Sequence, residues 1–319
     1  MGDRSDILAW SAHGSLSDTR AALGIAGVLP TPQDWRRFLD RLLLWSGALA
    51  LAGAAVFFIA YNWTELGRFA RFALVETAIV LAVLGYWRLG ADQPAGQASL
   101  LLGAILLGVL LALFGQTYQT GADDWELFAW WAMLIAPWVL LGRFAALWLL
   151  WIVVANLAIG LYFQVFPSLL GIALGSERQL WALWGFDTVV LLAWELAARR
   201  VDWLRARWPA RLIALASGVG ITLLGLHAIF LRYDGRAAPL LACAIWLAAA
   251  HATYRARRRD LFMLAGAGLS AIVLVAATLT RALVSGRRDA ASLLLIALVV
   301  IALAAALAAW IRRIAGEQR

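Results

Sequence analysis

Long apolar runs separated by short polar segments dominate this chain. Most of the runs approach the roughly 20 residues that an α-helix needs to cross a bilayer, and no short strands alternate apolar with polar residues. The pattern predicts an all-α, polytopic integral membrane helical bundle with about ten transmembrane helices. The predicted spans are Leu42–Trp63, Phe69–Leu89, Ala98–Gly115, Trp125–Leu141, Ala145–Phe163, Gln179–Ala198, Ala210–Leu231, Ala237–Tyr254, Leu261–Leu283 and Ala291–Ile311.

Residues 1–40 are mixed in composition and predict a short cytoplasmic, amphipathic helical region at the membrane surface. The stretch Thr31–Asp34 has the features of a helix start, with a capping residue, a proline at the first position and an acid in the first turn. The apolar residues that follow at helical spacing are Trp35, Phe38, Leu39 and Leu42. This region is therefore expected to lie along the interface and to continue into the transmembrane domain, residues 41–319.

The segment "FPSLLGIALG", Phe166–Gly175, interrupts the series of spans. It is too short to cross the bilayer, so residues 165–178 are predicted to be interfacial or re-entrant. The segment divides the transmembrane domain into two candidate halves, 41–164 and 179–312. Five spans in each half would place the second half in inverted orientation, although no sequence repeat relates the halves.

The distribution of arginine predicts the orientation. All 27 basic residues are arginine, and with both termini in the cytoplasm the inner segments hold 19 of them and the outer loops 8. Cytoplasmic loops carry the excess of positive charge in membrane proteins, so the prediction is N-in, C-in.

Composition narrows the class of protein further. The chain has 319 residues, 64% of them hydrophobic, and a mean hydropathy of +0.81. Its net charge of +8 resides in arginines beside apolar spans, where they act as topology signals, so nucleic-acid binding is excluded. The single cysteine, Cys243, allows no intrachain disulfide.

One polar stretch, Leu113–Trp131 ("LFGQTYQTGADDWELFAWW"), stands out between two apolar spans. The predicted topology places it on the periplasmic side. Two interpretations are open: a solvated hairpin turn in which Gly121 takes positive φ, or a binding or recognition surface. Its polar and aromatic candidates for that surface are Gln116, Tyr118, Asp123, Asp124 and Glu126.

This stretch and an earlier one also carry a family resemblance. "YNWTELGRFARFALVE" (Tyr61–Glu76) and "FGQTYQTGADDWELFAWWA" (Phe114–Ala132) resemble the domain-of-unknown-function 2157 family of predicted bacterial integral membrane proteins. The resemblance covers roughly the first 145 residues. It implies a multi-pass protein of the bacterial inner membrane, and it supplies no activity, cofactor or catalytic residue.

Ionisable residues at membrane depth are the other candidates, because each costs about 2.5–3.5 kcal/mol to insert. Glu76 lies in the second predicted span and Asp187 near the middle of the sixth. Each is explained either by a hydrogen bond to a Thr, Asn, Arg or Trp of a neighbouring helix or by a proton-coupled or cation site. Glu195 is expected to reach toward Arg199, four residues on. The remaining polar candidates are His227 near the end of the seventh span, Asn156 in the fifth, and Asn62 and Trp63 after the first.

Motifs of known chemistry are missing from the sequence. It has no phosphate-binding loop, zinc-binding H-E-x-x-H helix or G-x-S-x-G nucleophile elbow. Asp123, Asp124 and Glu126 could contact a hard cation, but a dedicated calcium loop is longer and richer in ligands. No catalytic residue, metal site or cofactor is therefore predicted.

Three functional classes fit this pattern. A carrier or permease-like protein would use Glu76 and Asp187 as coupling acids for a small polar or cationic solute, with a polar site open to the periplasm. A membrane scaffold or accessory subunit would dock a periplasmic or membrane protein through Gln116–Glu126. A membrane-embedded enzyme is less favoured, because no acid–nucleophile pair is visible. In each class the lipid bilayer is a partner.

Overall fold

The computed structural model describes residues 13, 23, 31–61, 67–119, 121–163, 176–230, 237–257, 260–284 and 290–316. Within these residues there are ten α-helices and no strand. The helices are α1 (Pro32–Tyr61), α2 (Arg68–Leu89), α3 (Pro94–Tyr118), α4 (Asp124–Gly142), α5 (Ala145–Tyr162), α6 (Glu177–Ala197), α7 (Arg207–Phe230), α8 (Ala237–Ala252), α9 (Leu261–Val284) and α10 (Ala290–Gly316). A 3₁₀ turn (Asp202–Arg205) precedes α7, and a π-helical turn (Thr253–Arg257) continues α8.

Nine of the described helices, α2 to α10, are long and apolar enough to span a membrane, with α8 counted together with the π-helical turn as far as Ala256. The remaining one, α1, contains most of the first predicted span. The prediction of an all-helical, multi-pass membrane protein is thus confirmed, whereas the N-in, C-in orientation stays a prediction. Asn62, Trp63 and the segment Phe166–Gly175 lie outside the described residues.

Helix α1 begins where the sequence predicts, with a reciprocal cap. The backbone N–H of Asp34 donates to the hydroxyl of Thr31 (3.2 Å), and the backbone N–H of Thr31 donates to Oδ2 of Asp34 (2.9 Å). The hydrogen bond from the Thr31 side chain to the carboxylate is the main reason why the pKa of Asp34 lies below its ordinary value. The helix then continues without a break from Pro32 to Tyr61.

The chain divides into two compact units, Met1–Leu113 and Phe114–Arg319. In the first unit, α2 and α3 pack through Val75 and Leu113. The turn between these helices is tight. Gly90 has a φ of +92°, and a Cβ atom on Gly96 would collide with the carbonyl oxygen of Gly90.

In the second unit, α6 packs on α7, α4 packs on α5, and α9 packs on both α7 and α10. The largest buried cluster joins Trp194 of α6, Ile213 of α7, Leu264 of α9 and Ile314 of α10. Tryptophan rings extend it, with Trp148 and Trp194 edge-to-face and 6.2 Å apart. The bundle is therefore held mainly by apolar packing between neighbouring helices.

One end of the second unit carries an ion-pair network centred on Arg207, the first residue of α7. Its Nη1 donates to Oε1 of Glu195 on α6 (3.0 Å), and its Nε and Nη2 donate to Oδ2 of Asp260, just before α9 (3.2 and 3.1 Å). Arg211, one turn further along α7, donates its Nε to the same oxygen of Asp260 (3.2 Å). The hydroxyl of Tyr254 donates to Oε1 of Glu195 (3.3 Å). These charges join the ends of α6, α7 and α9 to the π-helical turn.

The π-helical turn and the start of α9 meet through the backbone as well. The backbone N–H of Asp260 donates to the carbonyl oxygen of Tyr254 (3.1 Å), and Oδ1 of Asp260 accepts from the N–H of Phe262 (3.1 Å). Burial raises the pKa of Asp260, but the hydrogen bonds from Arg211 and Arg207 outweigh burial, so its pKa lies below the ordinary 3.8. Asp260 is therefore held in its charged form.

The arginine-rich segments at the C-terminal ends of α6, α8 and α10 lie near this ion-pair network. Ala198, Leu204, Tyr254 and Ile314, which flank the arginine-rich segments, belong to one buried cluster. The predicted topology requires those segments to be on one side of the membrane.

Gly96→Ala is expected to lower the free energy of unfolding by about 1–3 kcal/mol, because the colliding atom belongs to the backbone of Gly90 and cannot rotate away. Gly115→Ala on the same helix is the matched control, since nothing lies within 4 Å of its Cβ position and alanine favours helix by up to about 1 kcal/mol. Thermal unfolding of the detergent-solubilised protein measures both. Equal stability of the two variants would contradict the close approach.

Asp260→Asn is expected to destabilise the protein by about 3 kcal/mol at neutral pH, because it leaves two partly buried arginines without their shared carboxylate. Since the folded pKa of Asp260 is depressed, its contribution is present above pH 3.8 and is lost as the pH falls through the lower folded value. Melting temperatures measured from about pH 7 to about pH 3 should therefore decline less steeply at the acid end in the variant than in the wild type.

Asp202→Asn is the control, because Asp202 forms an exposed ion pair with Arg205 that contributes little. Identical acid profiles for wild type and Asp260→Asn would rule out the stabilising role of Asp260.

Candidate functional site

Asp187 is the most enclosed acid of the spanning helices in the described part of the chain. It lies near the middle of α6, with 4% of its surface exposed. The side-chain amide of Asn156 on α5 donates to its Oδ1 (2.8 Å) and to the carbonyl oxygen of Ile152 (3.0 Å). The hydrogen bond that the sequence offers as one explanation of Asp187 is thus present, and its partner is an asparagine.

The residue after Asp187 continues the polar contacts toward the other side of α6. The hydroxyls of Thr188 and Ser217 lie 2.8 Å apart, and the indole Nε1 of Trp246 donates to Ser217 (3.1 Å). Ser217 is fully buried in α7, and Trp246 lies on α8. We call Asn156, Asp187, Thr188, Ser217 and Trp246 the polar seam. It joins four successive helices, α5 to α8.

Close backbone approach makes the seam possible. A Cβ atom on Gly218 would lie 3.2 Å from the ring of Trp246, and one on Gly220 would lie 3.3 Å from Cβ of Trp184. Beyond these glycines, the thiol of Cys243 donates to the carbonyl oxygen of Ile221 (3.3 Å). Small residues let the helices approach until their short polar side chains can bond.

The neutral partner of Asp187 decides what the seam can do chemically. An amide donor bonds to a carboxyl oxygen whether the acid is charged or protonated, so a proton can leave or return without breaking an ion pair. No ion pair among the described residues includes Asp187. Glu195 and Asp260, in contrast, are held by arginine. Asp187 therefore differs from these two acids in having a neutral amide rather than an arginine as its hydrogen-bond partner.

Glu76 has a different environment. It lies on α2 in the first compact unit, its side chain is exposed, and within the described residues it forms no hydrogen bond. The helix–helix hydrogen bond offered for Glu76 is thus absent there. Asp187 belongs to the second unit, and the role of these two acids as coupling acids of a carrier stays a prediction.

The polar stretch of the sequence forms a turn between α3 and α4. Gln116 and Tyr118 are exposed in the last turn of α3. Gln119 (φ 45°) and Gly121 (φ 65°) have left-handed backbone conformations between the two helices. The positive φ expected at Gly121 is confirmed, whereas a solvated hairpin turn and a recognition surface both stay open as interpretations of this stretch.

The acids of this turn have a structural reason for their positions. Asp123 is the N-cap residue of α4, and Asp124 and Glu126 lie in its first turn. Carboxylates are favourable there because the helix dipole places partial positive charge at the N-terminus. Within the described residues, no group of three or more His, Cys, Asp or Glu is placed to hold a metal ion.

His227 is half-buried in the last turn of α7, and the other two candidates, Asn62 and Trp63, lie outside the described residues. Sequence reasoning missed Ser217, Thr188 and the contacts of Arg207. Isolated hydroxyl residues inside apolar spans were the available signal for the first two. Arg207 was counted only as a topology charge.

Comparison with known proteins adds a family. Residues 9–148 match a family described as "Predicted membrane protein (DUF2157)". The matched residues include α1 to α4 and the turn Gln116–Glu126, which is the stretch that carries the sequence resemblance. No curated protein and no solved structure matches the chain. Over residues 9–148, which are less than half of its 319 residues, the chain is similar to the DUF2157 family of predicted membrane proteins.

Proposed function

We propose that this multi-pass membrane protein is a carrier or permease-like protein with Asp187 as its coupling acid. The observation that supports this proposal is the pairing of a carboxyl group, 4% exposed at mid-helix, with a neutral amide donor, Asn156. A buried acid at membrane depth is costly, so a protein that keeps one without a cationic partner has reason to use it.

The contrast with the end of the bundle strengthens the proposal. Glu195 and Asp260 are paired with arginine, and such pairs keep an acid charged while they join helices. A coupling acid must instead change its occupancy during transport. Asn156 stabilises Asp187 without fixing its charge, so protons or small cations are the coupling species of the proposed cycle.

The proposed substrate is a small polar or cationic solute. Thr188 and Ser217 supply hydroxyl groups beside the coupling acid, and hydroxyls can bond to either donors or acceptors of a solute. In the proposed arrangement the site opens to the periplasm of a bacterial inner membrane, and Gln116, Tyr118 and Asp123 line the outer entrance.

Asp187→Asn is expected to abolish proton-dependent currents while the variant still folds, because asparagine keeps the shape and the hydrogen bond but cannot carry a proton. The measurement is solid-supported membrane electrophysiology on proteoliposomes with an imposed proton gradient and pools of small amines, amino acids and sugars. We expect the wild type to give a current with one of these solute pools and Asp187→Asn to give no current with the same pool. Normal current in the variant would remove Asp187 from the mechanism.

Glu76→Gln provides the comparison for a second acid at membrane depth, and we expect it to reduce the current less because Glu76 is exposed. Labelling by dicyclohexylcarbodiimide, which attacks protonated carboxyls in apolar surroundings, gives an independent readout. Peptides from α6 should be labelled in wild type and Glu76→Gln but not in Asp187→Asn. Labelling of Asp187 that does not vary between about pH 5 and about pH 9 would contradict a coupling role, because the acid would not be titrating.

A scaffold role is the second candidate, and the exposure of Gln116, Tyr118, Asp123 and Asp124 at the α3–α4 turn favours it. Under this proposal the turn docks a periplasmic or membrane protein partner. Asp123→Ala combined with Asp124→Ala should then lose that partner in a cross-linked pull-down. Asp92→Ala, which removes an exposed acid from the α2–α3 turn, is the control. Partner recovery equal to wild type would exclude the two acids from docking.

A further inference from the structure

One face of α7 presents a continuous apolar stripe outside the bundle. Trp208, Leu212, Leu215 and Val219 are each about half exposed, and their spacing of four, three and four residues places them on one side of the helix. We call these four residues the α7 stripe. It begins next to the ion-pair network and extends about 16 Å along the helix axis, because each helical residue rises 1.5 Å.

Arg211 lies at the head of the α7 stripe, three residues after Trp208 and four before Leu215. Its Nε donates to Oδ2 of Asp260 (3.2 Å), and its guanidinium lies 5.6 Å from the centre of the Phe262 ring. These two contacts hold the cation in place. Its side chain is nevertheless 43% exposed, and within the described part of the chain no hydrogen bond uses its two Nη groups.

Arg211 differs in this respect from the arginine beside it. All three guanidinium nitrogens of Arg207 already donate, to Glu195 and Asp260, and its side chain is less exposed than that of Arg211. Arg211 keeps two parallel N–H donors, and a planar guanidinium matches the oxygens of a phosphate with such a pair. A cation already fixed in position loses little conformational entropy when it binds an anion.

The surroundings favour an anion at the membrane surface. Residues 199–211 contain five arginines and one acid, Asp202, which is paired with Arg205 (3.0 Å). Trp208 has the amphipathic ring that is enriched at membrane–water interfaces. Below it the exposed residues of the stripe are aliphatic. Along α7, the cation of Arg211 would thus lie at the level of the lipid headgroups, and the aliphatic residues of the α7 stripe would lie at the depth of the acyl chains.

We propose that Arg211 and the α7 stripe form a binding site for an anionic phospholipid. The lipid phosphate accepts hydrogen bonds from the Nη groups of Arg211, and one acyl chain lies along Leu212, Leu215 and Val219. An apolar stripe alone would accept any lipid, whereas the anchored guanidinium selects for headgroup charge. This site is separate from the polar seam and does not depend on the proposed carrier function.

The test is native mass spectrometry of the full chain in detergent, with equal amounts of phosphatidylglycerol and phosphatidylcholine of the same acyl chains. The wild type should retain phosphatidylglycerol preferentially. Arg211→Gln should reduce that preference about fivefold, which corresponds to the contribution of one arginine near an anionic headgroup. Asp260 keeps its bonds to Arg207 in this variant, so the fold is expected to persist.

Arg205→Gln is the matched control, because it removes the same charge from the same segment at a residue outside the α7 stripe. An equal loss of preference in both variants would show that diffuse charge attracts the lipid, and this would overturn the site. Unchanged preference in Arg211→Gln would overturn it as well. Arg211→Lys should keep part of the preference, because it retains the charge without the paired donors.

Inorganic phosphate, added at millimolar concentration, separates a lipid site from a simple anion site. Phosphatidylglycerol retained in the presence of phosphate supports the lipid, because the acyl chain contributes to binding. Complete displacement by phosphate would overturn the proposal in favour of free-anion binding.

Discussion

Hydrocarbon offers no hydrogen-bond partner, so polar groups at membrane depth must find partners within the protein. The helices satisfy the backbone, and the polar seam shows how side chains meet the same constraint. Ser217 is fully buried in α7, yet it lies 2.8 Å from Thr188 and accepts the indole N–H of Trp246. Asn156 serves Asp187 in the same way. Apolar packing holds the helices of the second unit together, and these few short contacts supply the partners that its buried polar side chains need.

The acids of that unit meet the constraint by two different means. Asp260 and Glu195 lie where arginines from α7 can reach them, and the resulting network fixes the ends of three helices. Asp187 lies deeper, beside an amide. Burial with a cation stabilises the charged acid, whereas burial with a neutral donor leaves protonation open. This difference in partner gives Glu195 and Asp260 a structural role, and it is the physical basis of the role proposed for Asp187.

Arginine has more than one role at the end of the bundle. Arg207 forms ion pairs with Glu195 and Asp260 inside the protein. Arg211 also bonds to Asp260 through Nε, but its two Nη groups form no hydrogen bond within the described residues. A count of positive charges treats these two residues alike. Only their hydrogen bonds distinguish Arg207, which joins helices within the protein, from Arg211, which we propose binds a lipid headgroup. The acids at the start of α4 also have a structural reason for their positions, because carboxylates are favourable at a helix N-terminus whether or not the turn is a recognition surface.

Hydrophobic periodicity and helix signals in the sequence were sufficient to predict the helices that could span the membrane, the α1 start at Thr31–Asp34 and the positive φ of Gly121, since each depends on local length, capping or backbone freedom. They also singled out Asp187, because an acid in an apolar run is costly wherever the helix packs. Its partner Asn156, 31 residues away, and the pairing of Glu195 with Arg207 rather than the expected approach to Arg199 required the tertiary structure. Side chains distant in sequence come into contact only when their helices pack together. Which helices pack together depends on the fit of whole helix faces, and a local sequence pattern does not specify that fit.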